Sequence, residues 1–263
     1  MNKTRLPAVA GLFYPADAAI LRQDIHQYLD QVKAITSTAI PRAIIVPHAG
    51  YVYSGVVAAS AYKQLILFKE KINRVVLLGP SHRVAFAGLA VPESDTFNTP
   101  LGNIPVDKNA VTKLLAMPQV IALERAHRDE HSLEVQLPFL QEILGDFSLV
   151  PLVVGEAERF DVAEIINLFL DDDNTLIVIS TDLSHYHEYD AANKIDRATS
   201  DAIVHLQPER IGYEDACGRN GLNGMLTVAE QKQLTVKLLD LRNSGDMSGS
   251  TERVVGYGAY VIH

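Results

Sequence analysis

Short runs of β-branched and aliphatic residues recur along this chain: "RAIIV" (42–46), "RVVLLG" (74–79), "GLAVP" (88–92), "FSLVPLVV" (147–154), "TLIVIS" (175–180) and "RVVGYGAYVI" (253–262). Between several of them, apolar side chains return every three or four residues, as in "SGVVAASAYKQLILF", "SLEVQLPFLQEIL", "RFDVAEIINLFL" and "DAANKIDRATSDAIVHL". Buried strands that alternate with amphipathic helices constrain the chain to the α/β class. Parallel strands need a helical crossover to return to the same edge, so the pattern predicts a mainly parallel sheet with helices on both faces. "TFNTPLGNIPV", with Pro100 and Gly102, is expected to add an antiparallel hairpin at the periphery. No repeat, low-complexity tract or long linker divides the sequence, so residues 1–263 are expected to form a single domain. With 48% hydrophobic residues, such a domain can bury roughly three-quarters of the surface of its unfolded chain.

Charge and composition exclude several partner classes. The 32 acidic residues outnumber the 23 basic ones, giving a formal charge of -9, and the Lys and Arg residues are scattered. Nucleic acid is therefore not an expected partner. The apolar N-terminal segment is broken by Pro7, Gly11 and Pro15, and no segment approaches a membrane span. Cys217 is the only cysteine, which fits a reducing compartment and a free thiol. The expected location is the cytoplasm, with no membrane partner.

Candidate chemistry collects where the strand-like runs end. His48 lies in "VPHAGYVYSG", just beyond "RAIIV"; His82 lies in "PSHR", beyond "RVVLLG"; Asp182 and His185 lie in "TDLSHYHEY", beyond "TLIVIS". Open α/β sheets bind ligands beyond the carboxyl ends of their strands, so these groups are expected at one rim. A lone histidine at a strand end is more often hydrogen-bonded to a loop than a ligand, but their shared placement favours a metal or proton-transfer site. Cys217, in "EDACGRNG", precedes a helix, where a thiol is expected to ionise more readily and to serve as a soft metal ligand. In "RDEHSLEVQLPFLQ", His131 is a candidate substrate-contacting residue, whereas Glu130 reads as an acidic helix start, with Asp129 or Ser132 as its cap. Tyr53, beside His48, is a candidate for hydrogen bonding a substrate oxygen, and core packing is an equal reading.

"AGLFYPAD", "PHAGYVYSG", "LGPSH", "EHSLEVQLPFL", "STDLSHY", "ACGRNG" and "VGYGAYVI" occur in this order across nearly the whole chain. Together they resemble the Memo family, also called AmmeMemoRadiSam system protein B. The resemblance implies a fold like that of class III extradiol dioxygenases, a non-haem iron family. It places metal-binding imidazoles on His48 and His82 and a thiolate ligand on Cys217. It also sets Asp182 and His185 beside the metal, with His185 as an acid/base and Asp182 orienting an imidazole. Such a donor set suits Fe(II), with copper or zinc as alternatives. A cysteine stands where the ring-cleaving enzymes carry a carboxylate, so the resemblance does not imply catechol cleavage.

No G-x-S-x-G elbow, P-loop or G-x-G-x-x-G after the first strand occurs, which removes the devices of serine hydrolases, P-loop NTPases and Rossmann oxidoreductases. A zinc hydrolase is compatible with the ligands alone. Two classes stay open: a non-haem iron or copper redox enzyme acting on a small organic substrate, and a scaffold that binds a metal or peptide without turnover. The family's name implies AMMECR-type and radical SAM proteins as partners.

Overall fold

A computed structural model describes residues 3–33 and 39–263, apart from the side chain of Ser248. In chain order its elements are β1 (Thr4–Arg5), α1 (Ala18–Gln31), β2 (Ala43–Val46), α2 (Tyr51–Tyr62), β3 (Arg74–Pro80), β4 (Leu89–Val91), β5 (Thr96–Thr99) and β6 (Gly102–Pro105). There follow α3 (Lys108–Leu114), β7 (Val120–Ala122), α4 (Glu124–Arg128), α5 (Leu137–Leu144), β8 (Ser148–Val154), α6 (Arg159–Leu170), β9 (Thr175–Ser180) and β10 (His185–His187). The chain ends with α7 (Tyr189–Val204), α8 (Arg219–Gln231), β11 (Val236–Asn243), α9 (Ser244–Ser248) and β12 (Val254–Ile262).

Most of the apolar runs become strands within a residue of their expected bounds, because aliphatic side chains on both faces need cover on both faces. β2 and β9 are buried at every residue. The main sheet has the order β10-β12-β2-β9-β3-β8-β4-β7, and β11, off this path, also pairs with β12. Its centre, β2-β9-β3-β8, is parallel, as the helical crossovers require. The margins differ: β12 runs antiparallel to β2, β10 and β11, and β4 runs antiparallel to β8. The connection from β11 to β12 carries only the single short turn of α9, and so short a link reverses the strand. The α/β fold is thus a mixed sheet flanked by helices, parallel where the site lies. The peripheral hairpin forms from β5 and β6, and β1 joins β5 in parallel. No helix among the described residues is long and apolar enough to cross a membrane.

Two helix readings change in detail. The stretch after Tyr62 tightens into a 3-10 turn over Lys63–Phe68. The "SLEVQ" portion does the same over Glu134–Gln136 before α5 begins at Leu137, with Pro138 in its first turn, where no intrahelical N–H is needed.

A buried ion pair ties the N-terminal segment to the rim. Arg5 and Glu134 are both almost fully enclosed and pair directly. Glu134 also accepts the N–H groups of Ala8 (2.8 Å) and Val9 (3.0 Å) and the Tyr14 hydroxyl (2.6 Å). Arg5 donates two further N–H groups to the carbonyls of His127 (3.0 Å) and Glu130 (2.6 Å). Removing one partner strands the other charge in the core. Glu134→Ala is therefore expected to lower stability by about 3 to 5 kcal/mol, read from urea unfolding; a loss under about 1 kcal/mol would show that water or backbone groups already compensate Arg5.

Candidate metal centre

Three adjacent parallel strands place the site. β2, β9 and β3 lie side by side, and their carboxyl ends lead into His48, Asp182 and His82. His131 enters from the loop before α5. The donor atoms of His48, His82 and His131 lie within 4.8 Å of one another. Their rings are close: His48 to His82 is 5.2 Å between centroids, His48 to His131 is 5.4 Å, and His82 stacks on His131 at 4.5 Å. His48 is 1% exposed, and the His131 and His82 side chains are 16% and 29% exposed, so the cluster runs from the core to the rim.

The hydrogen bonds fix which ring nitrogen of His48 carries the proton. The Ser180 hydroxyl donates its single proton to the Ser132 carbonyl (2.6 Å) and accepts from the Gln136 amide (2.8 Å). Its contact with His48 Nδ1 (2.9 Å) must then be one in which Nδ1–H donates, which leaves the lone pair on Nε2. Gln136 is held in turn by the Pro47 carbonyl (2.9 Å) and the Tyr62 hydroxyl (2.8 Å). His82 is oriented by Glu130: Nδ1 donates to Oε1 (2.9 Å) and the backbone N–H to Oε2 (2.6 Å). Glu130 Oε1 also accepts the N–H groups of His131 (2.9 Å) and Ser132 (3.0 Å). His131 Nδ1 lies 3.3 Å from that oxygen but makes no hydrogen bond, a buried nitrogen without a partner.

Burial sets the charges. It pushes His48 well below the usual imidazole range, and the neighbouring His82 and His131 push it further. It brings His131 down to about 4, against the opposing pull of Glu130. Both rings are neutral at pH 7, the form that binds metals. Burial acts to raise Glu130, yet the bonds from His82 and Ser132 outweigh it and hold the carboxyl down at about 2. Asp182 goes the other way, raised by burial to about 7.

Residues 5–261 match the family of Memo-like proteins. The chain belongs to the Memo family. It is 35% identical to a MEMO1 family protein of Aquifex aeolicus over 97% of both chains, and 36% identical to one of Methanococcoides burtonii over 98% of this chain and 99% of that one. A MEMO1 family protein of Sulfolobus acidocaldarius is 35% identical over 96% of this chain. The crystal structure of the uncharacterized protein JW3007 from Escherichia coli K12 superposes with a TM-score of 0.53 at 15% identity, covering 83% of this chain and 99% of that one. That likeness concerns the fold alone.

In this Memo protein the groups expected from sequence are distributed unevenly. Cys217 reaches the cluster from another direction, with Sγ 3.3 Å from His48 Nε2. Its thiol is not readily ionised, contrary to expectation: burial, followed by the charge of Asp182, pushes it up to about 12. Gly218 separates it from α8, and the N–H of Asp182 donates to the sulfur (3.3 Å). Asp182 accepts the backbone N–H of His48 (2.7 Å), so it orients the His48 backbone, whereas the imidazoles take Glu130 and Ser180. His185 starts β10 near the cluster and is shifted down by burial. Tyr53 is 42% exposed on the first turn of α2, while Tyr51 is core, bonded to the Val135 carbonyl (2.8 Å).

Glu130 is the residue that sequence reading assigned wrongly. It does accept N–H groups at the turn before α5, but it also orients His82, and neither expected cap acts as one: Ser132 donates to the Pro80 carbonyl (2.8 Å), and Asp129 pairs with Arg128. The available signal was its place directly before His131 in a motif rich in polar groups. His131, expected against substrate, belongs to the imidazole cluster itself.

A folded-state pKa of about 7 for Asp182 exceeds the unfolded value of about 3.9. The stability this proton gives is full below the unfolded value and is lost as pH rises through about 7. Asp182→Asn keeps an acceptor for His48 and cannot ionise. Without metal it is expected to exceed the wild type in stability by about 1 to 4 kcal/mol at pH 8, converging near pH 4, in parallel denaturant titrations.

Proposed function

We propose that this chain binds a transition metal ion through His48, His82 and His131, with Cys217 supplying a neighbouring sulfur donor, and acts as a metal-dependent oxidoreductase on a small organic substrate. The convergence of three imidazoles at the ends of adjacent parallel strands carries this reading. Apolar cores have no need of such a cluster, and the buried, unpartnered His131 nitrogen fits a missing positive partner. Imidazole with thiolate favours iron, copper or zinc over magnesium or calcium, and Fe(II) suits a redox role. When bound, the ion supplies Lewis acidity and one-electron chemistry. The chain's own groups supply the rest: Glu130 and Ser180 orient His82 and His48, Asp182 fixes the His48 backbone, and His185 holds or moves a proton at the rim.

Anaerobic titration with Fe(II), Cu(I) and Zn(II) tests the site directly. His48→Ala and His82→Ala are each expected to weaken binding by roughly a hundredfold or more, and Glu130→Gln by about ten- to a hundredfold through lost orientation. Cys217→Ala is expected to weaken Cu(I) more than Zn(II), because copper(I) is the softer ion. Unchanged affinities in all four, with native circular dichroism, would reject the site. Turnover is tested by oxygen uptake and metabolite loss when iron-loaded protein meets a small-molecule cell extract. His185→Gln should keep the metal and slow turnover on the order of a hundredfold; no metabolite consumed with any of the metals would leave a binding protein without catalysis.

A further inference from the structure

Tyr186 is held at φ 62°, a left-handed backbone that costs free energy for any residue with a Cβ and most for bulky ones. It sits at an irregularity where the pairing of β10 with β12 shifts between His185 and His187. Glycine is the usual occupant of such a place. Core packing does not explain the tyrosine, because the residue is 64% exposed. Its ring instead bridges two groups: the His185 ring lies 5.8 Å away at a steep angle, and the Arg253 guanidinium lies 5.1 Å over its centroid. Strain kept at an exposed side chain beside a functional cluster points to a role for that side chain.

Arg253 says what that role is. The Arg253 guanidinium lies over the Tyr186 ring, and its planar fork of N–H donors matches the geometry of a carboxylate. Among the described residues no carboxylate lies within ion-pair distance of Arg253. The other stacked pair near this rim is different: Arg219 lies 3.3 Å over Tyr213, but Glu156 accepts the Tyr213 hydroxyl (2.7 Å) and lies 3.9 Å from Arg219. That pair carries its own counter-charge. We infer that Tyr186 and Arg253 form the substrate-recognition wall of the site, and that the substrate is a small organic acid with a flat unsaturated part lying against the Tyr186 ring. The inference rests on the proposed reading of the metal site and adds to it the substrate class.

Benzoate serves as the probe, with benzamide as its uncharged and acetate as its ringless counterpart. Binding is followed by NMR titration of the full-length protein, with and without zinc. Benzoate is expected to bind more tightly than either counterpart. Arg253→Gln should weaken benzoate roughly tenfold and leave benzamide unchanged; Tyr186→Phe should retain benzoate. Tyr186→Gly should lose benzoate yet raise the melting temperature by about 2 to 4 °C, since glycine relieves the left-handed backbone. All three variants should bind zinc as the wild type does. Benzoate affinity unmoved by Arg253→Gln, or equal affinity for benzoate and benzamide, would overturn the acid-binding wall, and a lower melting temperature for Tyr186→Gly would overturn the strain argument. Failure of the wild type to bind metal would strike the metal reading alone, because the benzoate measurements without zinc still decide the roles of Arg253 and Tyr186.

Discussion

A single buried carboxylate organises the rim of this protein. Glu130 takes the backbone N–H and ring N–H of His82 and the backbone N–H groups of His131 and Ser132. These bonds outweigh the desolvation of a buried acid and keep it ionised. The loop after β3 and the loop before α5 are thereby fastened to one anchor, although they are far apart in sequence. Arg5 extends the anchor by donating to the Glu130 carbonyl while paired with Glu134, so the first strand is coupled to the loops that carry the imidazole cluster. Disturbance of the N-terminal segment and disturbance of the imidazoles are for this reason not independent.

The same economy appears on the deeper side of the cluster. Ser180, the last residue of β9, has one proton and two acceptor positions, and all are used by Ser132, Gln136 and His48. A fully satisfied buried network has one low-energy arrangement, and it leaves the His48 lone pair facing Cys217. His48 is therefore a neutral donor held in one tautomer by its neighbours. The thiol differs, since burial and Asp182 keep its proton on. A cation at His48 Nε2 would reverse that balance, because a nearby positive charge favours thiolate.

The parallel centre of the sheet explains why the imidazoles meet at all. β9 is inserted between β2 and β3, so three consecutive neighbours end at the same rim. Neighbouring strands lie about 4.8 Å apart, and the loops beyond them cover the remaining distance. The antiparallel margin contributed by β12 brings β10, with His185 and Tyr186, to the same end. The fold match with the JW3007 protein accords with the α/β architecture of the chain.

Several features were settled by sequence alone. The apolar runs and helical periods fixed the α/β class, the central strands and the peripheral hairpin, because burial on both faces or one face of an element is a local property of its residues. The glycine and proline punctuation after those runs also placed His48, His82 and Asp182 at strand ends. The antiparallel margins, β11 and the role of Glu130 were not legible. "VKLLDLRN" lacks the continuous apolar run of a central strand, since β11 lies at a sheet edge and exposes part of its length. Glu130 beside His131 looks like any acidic residue at a helix start; only the pairing of β3 with β8 and β9, and the return of the 130s loop over their ends, brings its oxygens to His82. The ionisation of Cys217 was misjudged for the same reason. Proximity to a helix start is written in the sequence, whereas desolvation and the charge of Asp182 arise from chain segments that meet only in the folded structure.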